Sequence, residues 1–344
     1  EALGSGGTVI LLGPAVAADP AALGAWNAVA DACGARVGWA PRRAGESGAL
    51  AAGAHPELLP GWRPVADSAL RSEVESAWGG PVPEQPGEDT AAVLSRARSG
   101  GLDLLWLVGA DVLGDVPDAR LGAEALVGAG YVVVQDVQSS DLVEFADLLL
   151  PAAAFAERDG TLTDWEGRRQ PIQAGVDPPG SARADYAILS ECARRLGRPI
   201  GCRRLGDVQE ELSGLLDRPA SAVPAPGVVS IPDPPVTRDG FPLRLLTYRL
   251  LYDAGSRVRR TEEIATLTQQ PYAEMHPDDA AIAGVQDGAM AIVTSRHGRL
   301  SVPVRVSDTV RPGVVFVPYA QPGAPAQNLL TVGDRSPAVR VEPL

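Results

Sequence analysis

The stretch "LDLLWLVGA", Leu102 to Ala110, is apolar at nearly every position. A strand with one wet face alternates polar and apolar residues, whereas a strand covered on both faces of a parallel sheet reads as an unbroken apolar run. A second run of this kind, "YVVVQD", spans Tyr131 to Asp136. Working outward, a helix is expected from about Thr90 to Ser99, stopped by Gly100-Gly101. Near the start, "TVILLG" (Thr8–Gly13) and "ARVGWA" (Ala35–Ala40) are short strand candidates. Between them Asp19-Pro20 supplies an N-cap with Pro at the first helical position. Leu23, Trp26, Ala30 and Cys33 then fall on one helical face. A further helix, about Ala184 to Leu196, has Asp185 near its start and Gly197 and Pro199 at its end. Alternating strands and helices predict an α/β fold with an open, mostly parallel sheet.

The pattern changes after "RPASAVPAPGVVSIPDPPVT", Arg218 to Thr237, which is Pro-rich and aperiodic like an extended connector. "FPLRLLTYRLL", "AMAIVTS", "RLSVPVRVS" and "GVVFVPY" are short runs, several alternating with period two and separated by turns such as "RHG" and "RPG". One short helix is expected at "HPDDAAIAG", entered through Pro277 and left through Gly284. These segments predict a small, mostly β, barrel-like domain. The expected division is residues 1–217, a linker over 218–237, and a second domain over 238–344.

Composition narrows the function. The formal net charge is −13, and a nucleic-acid partner would need a basic face. Every basic residue is Arg, which with the excess of Ala and Gly reads as codon bias. No apolar run approaches the roughly 20 residues of a membrane span. Cys33, Cys192 and Cys202 lie far apart without metal-ligand spacing and suit a reducing compartment. The abrupt opening "EALGSGGTVILLG" suggests a piece of a longer polypeptide.

Chemistry is expected at the carboxyl ends of the strands, where open α/β sheets bind ligands. Three segments would lie there: Gly109-Ala110-Asp111, Asp136 to Asp141 ("DVQSSD"), and the turn-rich stretch "LLLPAAAFAERDGTLTDWEGRRQ", Leu148 to Gln170. Their hydroxyls, carboxylates and amides suit a phosphate- or ribose-bearing ligand, but polar turn residues more often serve the turn itself. Asp159, Asp164 and Glu166 beside Arg158, Arg168 and Arg169 read as an ion-paired loop. The histidines stand apart: His55 in a Gly/Pro-rich loop, His276 at a helix entry, His297 in a hairpin turn. No nucleophile–base pair and no zinc motif is present.

Taken together, "AGESGALAAGAHPELLPGW" (Ala44–Trp62), "LDLLWLVGAD" (Leu102–Asp111), "ADLLLPAAAFAERDGTLTDWEGRRQ" (Ala146–Gln170) and "GSARADYAILSECARRLG" (Gly180–Gly197) resemble, in order, the motifs of the molybdopterin oxidoreductase superfamily. Leu243 to Gly298 resembles that superfamily's dinucleotide-binding domain, which implies a double-psi β-barrel. The superfamily includes formate dehydrogenases, nitrate reductases and the large peripheral subunit of respiratory complex I. Departures from the cofactor-bearing pattern favour the complex I branch. Ser140-Asp141-Leu142-Val143 stands where those members carry a Thr-Glu-Thr-Ala-like run. Thr247-Tyr248-Arg249 replaces Thr-Gly-Arg, Gly109-Ala110-Asp111 replaces a "GENP" or "GSNP" loop, and Asp253 adds a carboxylate. A bulky ring for a Gly, and added negative charge, disfavour an anionic pyrophosphate.

The resemblance therefore implies a scaffold part of the iron–sulfur electron-transfer subunit of a proton-pumping NADH:quinone oxidoreductase, with a vestigial pterin cleft. No catalytic, cofactor-binding or metal residue is expected in the chain, and molybdopterin is expected to be absent. Iron–sulfur clusters are expected in a preceding N-terminal part. The implied partners are the flavin- and iron–sulfur-bearing subunits of the peripheral arm, with NADH and quinone bound elsewhere, on the cytoplasmic side of the bacterial inner membrane. The alternatives are a molybdenum or tungsten formate dehydrogenase-like catalytic subunit, and a stand-alone interaction module.

Overall fold

The computed structural model describes residues 7–13, 16, 20–41, 43–217, 240–256, 258, 260–332, 334 and 336–344. Asp19 and the Pro-rich stretch 218–237 lie outside the described residues. The chain divides into two compact units, each made of two segments: residues 1–89 with 151–233, and residues 90–150 with 234–344. This division by packing is a different cut from the division by sequence pattern at 218–237.

In the first unit, β1 (Val9–Leu12) and β2 (Arg36–Trp39) form a two-stranded parallel sheet linked by α1 (Pro20–Cys33). Ala30 of α1 is buried, while Trp26 stays 40% exposed. After α2 (Glu46–Ala51), the hairpin of β3 (Leu58–Leu59) and β4 (Arg63–Pro64) leads to α3 (Ser68–Trp78). Asp67 caps α3 by accepting from the amides of Ala69 and Leu70 at 3.0 and 3.1 Å, and Gly79 ends it at φ 67°. Leu59, Val65, Val74, Val82 and Leu215 make a small core here. Arg63 is buried beside that core and survives because it is fully engaged. Its guanidinium meets Glu73 at 3.0 Å and donates to the carbonyls of Pro60 and Leu215 at 2.8 and 3.0 Å.

The second unit starts with α4 (Thr90–Arg98) and β5 (Leu105–Val108), then α5 (Ala119–Gly128), β6 (Val132–Asp136) and β7 (Leu148–Pro151). β5 pairs parallel to β6, and β7 joins as the third strand. The two apolar runs are thus β5 and β6. Leu105, Leu107, Val132 and Val134 pack with Leu94 and Ala97 of α4, and with Leu121, Ala125 and Leu126 of α5. Gly122 is what lets α5 approach: a Cβ there would collide with the Val112 carbonyl oxygen.

The chain then returns to the first unit. Most of Leu148–Gln170 is ordered structure rather than an open ligand loop. A 3₁₀ turn (Phe155–Glu157) precedes an antiparallel hairpin of β8 (Gly160–Thr163) and β9 (Arg169–Ile172). The Asp164 carboxylate closes the hairpin turn by accepting from the amides of Glu166 and Arg168, both at 2.9 Å, and Gly167 turns at φ 85°. Helices α6 (Asp185–Arg195) and α7 (Leu205–Leu216) follow.

The last segment closes a six-stranded barrel in the order β10-β14-β11-β13-β12-β15. Its strands are β10 (Leu243–Leu246), β11 (Ala273–Met275), β12 (Met290–Thr294), β13 (Arg299–Val306), β14 (Val314–Phe316) and β15 (Ala338–Pro343). The pairs β10/β14 and β11/β13 are parallel and the rest antiparallel. Alternation places Leu245, Ala273, Met275, Val293, Val302 and Val339 in a fully buried interior. Two short helices interrupt the strands: α8 (Glu262–Ala265) and α9 (Pro277–Ala283). The Nδ1 of His276 caps α9 by accepting from the Asp278 amide at 3.2 Å, and Gly284 ends it at φ 70°.

Candidate functional site

Two of the three strand-end segments predicted to bind a ligand, those after β5 and β6, come together with part of the barrel segment within the second unit, whereas Leu148–Gln170 contributes nothing to the cavity they line. After β5 the chain turns at Gly109, φ 58°, and Asp111 follows, 9% exposed. Its carboxylate accepts from the amides of Leu113 and Gly114 at 3.2 and 3.0 Å, which fixes the loop. After β6 the Asp136 carboxylate accepts from the next amide, Val137, at 2.7 Å, and Gln138 donates to the Ser256 carbonyl at 2.8 Å. A 3₁₀ turn over Asp141–Phe145 directs Asp141 outward and Leu142 into the core, where Leu142 is fully buried. Leu142 therefore is not a pocket residue: where the sequence pattern suggested an apolar group replacing a cofactor hydroxyl, the side chain packs in the apolar cluster under the sheet.

These loops line a cavity of about 460 Å³ together with residues 253–255, Ala265, Thr268 and residues of the stretch 320–327. Asp111, Asp141 and Asp253 line it with Thr268, Gln321 and Gln327. Among the described residues lining it there are three carboxylates and no Arg or His. Arg249, which holds the lining carboxylate of Asp253, is engaged internally. One guanidinium nitrogen holds Asp253 at 2.5 Å, and another pairs with Asp115 and reaches the Gly114 carbonyl at 3.5 Å. The guanidinium lies 5.3 Å from the Tyr319 ring centre, and the Tyr319 hydroxyl donates to the Asp115 carbonyl at 3.3 Å. Burial pushes the Tyr319 phenol up to about 12, against the opposing pull of Arg249. Gln327 donates to the Gly114 carbonyl at 2.9 Å and completes the clamp.

One edge of the cavity is strained. Ala320 sits at φ 57°, a left-handed conformation that is disfavoured once a Cβ is present. Its neighbour Gln321 is 3% exposed, and neither its amide nitrogen nor its oxygen has a hydrogen-bond partner.

Other predicted residues are placed elsewhere. Tyr248 is not a packed core ring: it is 50% exposed and rests on Phe316 with ring centres 4.5 Å apart. The hydroxyl of Thr247 is buried without a partner. In the first unit, Arg168 pairs with Asp164 and Glu166 as expected, but Arg158 pairs with Asp185 at 3.9 Å and Arg169 with Asp217 at 2.5 Å. Asp159 accepts from the Ala174 amide at 2.8 Å. The ion-paired loop is thus a hairpin whose charges tie it to α6 and to the end of α7. His55 accepts from the Glu57 amide at 3.2 Å, and His297 lies 3.9 Å from Asp334 in the hairpin turn between β12 and β13. All three cysteines are free and half-buried. The thiol of Cys202 is pushed up by burial and by nearby Glu211. The clamp members Asp115, Tyr319 and Gln327 carried no local sequence signal, because their partners are more than a hundred residues away in sequence.

Comparison with known proteins agrees with this architecture. The model of the molybdopterin oxidoreductase family matches residues 19–195, and that of the molydopterin dinucleotide binding domain matches 243–343. The chain is 33% identical over 98% of its length to an NADH-quinone oxidoreductase subunit of Streptomyces coelicolor, covering 41% of that protein. It is 26% identical over 79% of its length to the F420-dependent formate dehydrogenase subunit alpha of Methanocaldococcus jannaschii, covering 46% of it. The chain thus spans less than half the length of these curated relatives. Among solved structures, the acetylene hydratase from Pelobacter acetylenicus shares the fold at a TM-score of 0.51 and 16% identity, over 80% of this chain and 49% of that one. With more than half its residues under the first family model and the dinucleotide-binding module following in order, the chain belongs to the molybdopterin oxidoreductase family.

Proposed function

We propose that these residues are the non-catalytic scaffold of the iron–sulfur subunit of a respiratory NADH:quinone oxidoreductase, and that their pterin cleft is vestigial. The observation that carries this reading is the charge of the cavity. A pterin dinucleotide presents an anionic pyrophosphate, and the described residues do not fit it. Asp111, Asp141 and Asp253 line the space, and the one organised cation among the described residues nearby, Arg249, is neutralised by Asp115 and Asp253. Like charges gathered in a partly enclosed space raise the cost of an anion further. The similarity to the Streptomyces coelicolor NADH-quinone oxidoreductase chain supports the placement in that complex. On this reading the iron–sulfur clusters belong to a preceding part of the protein. The flavin- and cluster-bearing subunits are its neighbours. NADH oxidation, quinone reduction and proton pumping occur elsewhere in the assembly, and these residues lie peripherally on the cytoplasmic side of the membrane. No helix among the described residues is long and apolar enough to cross a membrane. The six strands with two parallel pairs support reading the barrel as a double-psi barrel.

A second reading, a molybdenum or tungsten oxidoreductase subunit related to formate dehydrogenases, draws on the strained Ala320 and the unpartnered Gln321 amide. Strain and orphaned polar groups mark sites that await a ligand. Elemental analysis of the intact purified assembly separates the two. Iron without molybdenum or tungsten, and no pterin fluorescence after oxidation, is expected. Stoichiometric molybdenum or tungsten would overturn the scaffold reading.

A further inference from the structure

A second cavity of the same unit, of about 510 Å³, has the opposite character. Four elements converge on it: the end of α4, the first turn of α5, the hairpin turn between β12 and β13, and the 3₁₀ turn Ala326–Leu329. They bring Arg98, Arg120, Arg296 and Arg299 together with His297 and Asn328. In a chain of formal net charge −13, four arginines around one concavity are a concentration of positive charge that composition does not explain.

The two carboxylates there are already committed. Asp118 caps α5 by accepting from the Leu121 amide at 3.1 Å, and also accepts from the Thr331 hydroxyl at 3.3 Å. Glu124 is shared between Arg120 at 3.4 Å and Arg98 at 3.9 Å, both exposed pairs that rearrange at little cost. Among the described residues, Arg296 and Arg299 make no ion pair and are exposed. The turn that carries them is preformed. The Ser295 hydroxyl oxygen accepts from the amides of His297 and Gly298 at 3.0 and 3.3 Å, and the Ser295 amide donates to the Gly298 carbonyl at 2.8 Å. Gly298 presses on the Asn328 carbonyl so closely that no Cβ fits. The turn is thereby held against the 3₁₀ turn, and Arg296 and Arg299 line the same cavity as Asn328.

We propose that this cavity binds a phosphate-class dianion, with Arg296 and Arg299 as its principal ligands and Arg98, Arg120 and Asn328 in support. Planar guanidinium groups grip tetrahedral oxyanions through paired, charge-assisted hydrogen bonds, which suits a phosphate better than a single carboxylate. The site shares only Gln327 with the pterin cleft, and its argument does not rest on the scaffold reading.

The test is calorimetric titration of the whole chain with inorganic phosphate, pyrophosphate and AMP, with acetate at matched ionic strength as the control. Binding of phosphate but not acetate is expected, weakening as salt rises. The double variant Arg296→Ala/Arg299→Ala should bind at least about ten-fold more weakly, the effect of one charge-assisted hydrogen bond, whereas Arg311→Ala at an exposed site outside the cavity should bind like the parent. Both variants should melt with the parent chain, since the replaced side chains are exposed. Tighter binding of AMP than of phosphate would identify a nucleotide as the source of the group; equal binding would identify the phosphate alone. No heat with phosphate up to about 10 mM, or binding untouched by the double variant, would overturn the proposal.

Discussion

Leu142→Ala tests whether the chain after β6 is built as described. The side chain is fully buried within the cluster that joins the sheet to α4 and α5. Truncation to Ala removes three carbons, about 2.4 kcal/mol at roughly 0.8 kcal/mol per buried methylene. The space left behind is walled by helices and strands that relax only in part. A cavity term then brings the total to about 3–4 kcal/mol, within the usual range for buried Leu→Ala changes. Urea unfolding followed by far-UV circular dichroism would read this as a lower midpoint with an unchanged slope. A loss under about 1 kcal/mol would show that Leu142 faces the cavity or solvent instead. The 3₁₀ turn over Asp141–Phe145 would then be wrongly oriented, and the inference that Asp141 lines the cavity would fall with it.

Tyr248→Ala should cost about 1–2 kcal/mol, as suits a half-exposed ring stacked on Phe316, rather than the roughly 3–5 kcal/mol of a core aromatic; a thermal melt decides. Gly122→Ala would ordinarily stabilise a helix by about 1 kcal/mol, but here the added Cβ meets the Val112 carbonyl oxygen, so a lower melting temperature is expected, and a higher one would contradict the close packing of α5. Stability should fall at alkaline pH. Tyr319 is raised from 10.0 to about 12 in the folded chain, so its contribution is complete below pH 10 and is lost as pH rises from 10 toward 12. Burial also raises the Tyr272 phenol, so ultraviolet titration of tyrosinate in the native chain should show late groups, one of which is absent in Tyr319→Phe. Arg249→Met should lower the melting temperature, because Asp253, which is buried, loses its charged partner; an unchanged melt would show that the clamp contributes nothing.

Much of the architecture was legible because its signals are local. Continuous apolar runs marked β5 and β6, alternation marked β12 and β13, and a Pro entry with a Gly exit marked α9. β11 was not legible: Ala273-Glu274-Met275 alternates, but three residues are too short a run to establish a period. The loops that bound the cavity could be placed from strand ends, and Asp111 and Asp141 do line it. The direction in which loop side chains point was not legible. A 3₁₀ turn sends Leu142 inward, and the exposed face of β10 and its extension leaves Tyr248 half in water. The hairpin β8–β9 was hidden because its turn residues, Asp164 and Gly167, resemble those of a ligand loop. The arginine cluster was hidden for a different reason: its members come from two stretches far apart in the chain, and each alone is an ordinary exposed Arg.

The interleaved segments of the two units constrain how the chain can be made. During synthesis from the amino end, the strands β5, β6 and β7 leave the ribosome well before any strand of the barrel. Val332, which packs on the cluster under that sheet, arrives only after β14. Residues 151–233 emerge in between and complete the first unit. Thus the first unit has both its segments once residues 151–233 have emerged, while the second still waits for its barrel strands. A nascent chain of this design therefore holds one completed unit beside one that still lacks its second segment.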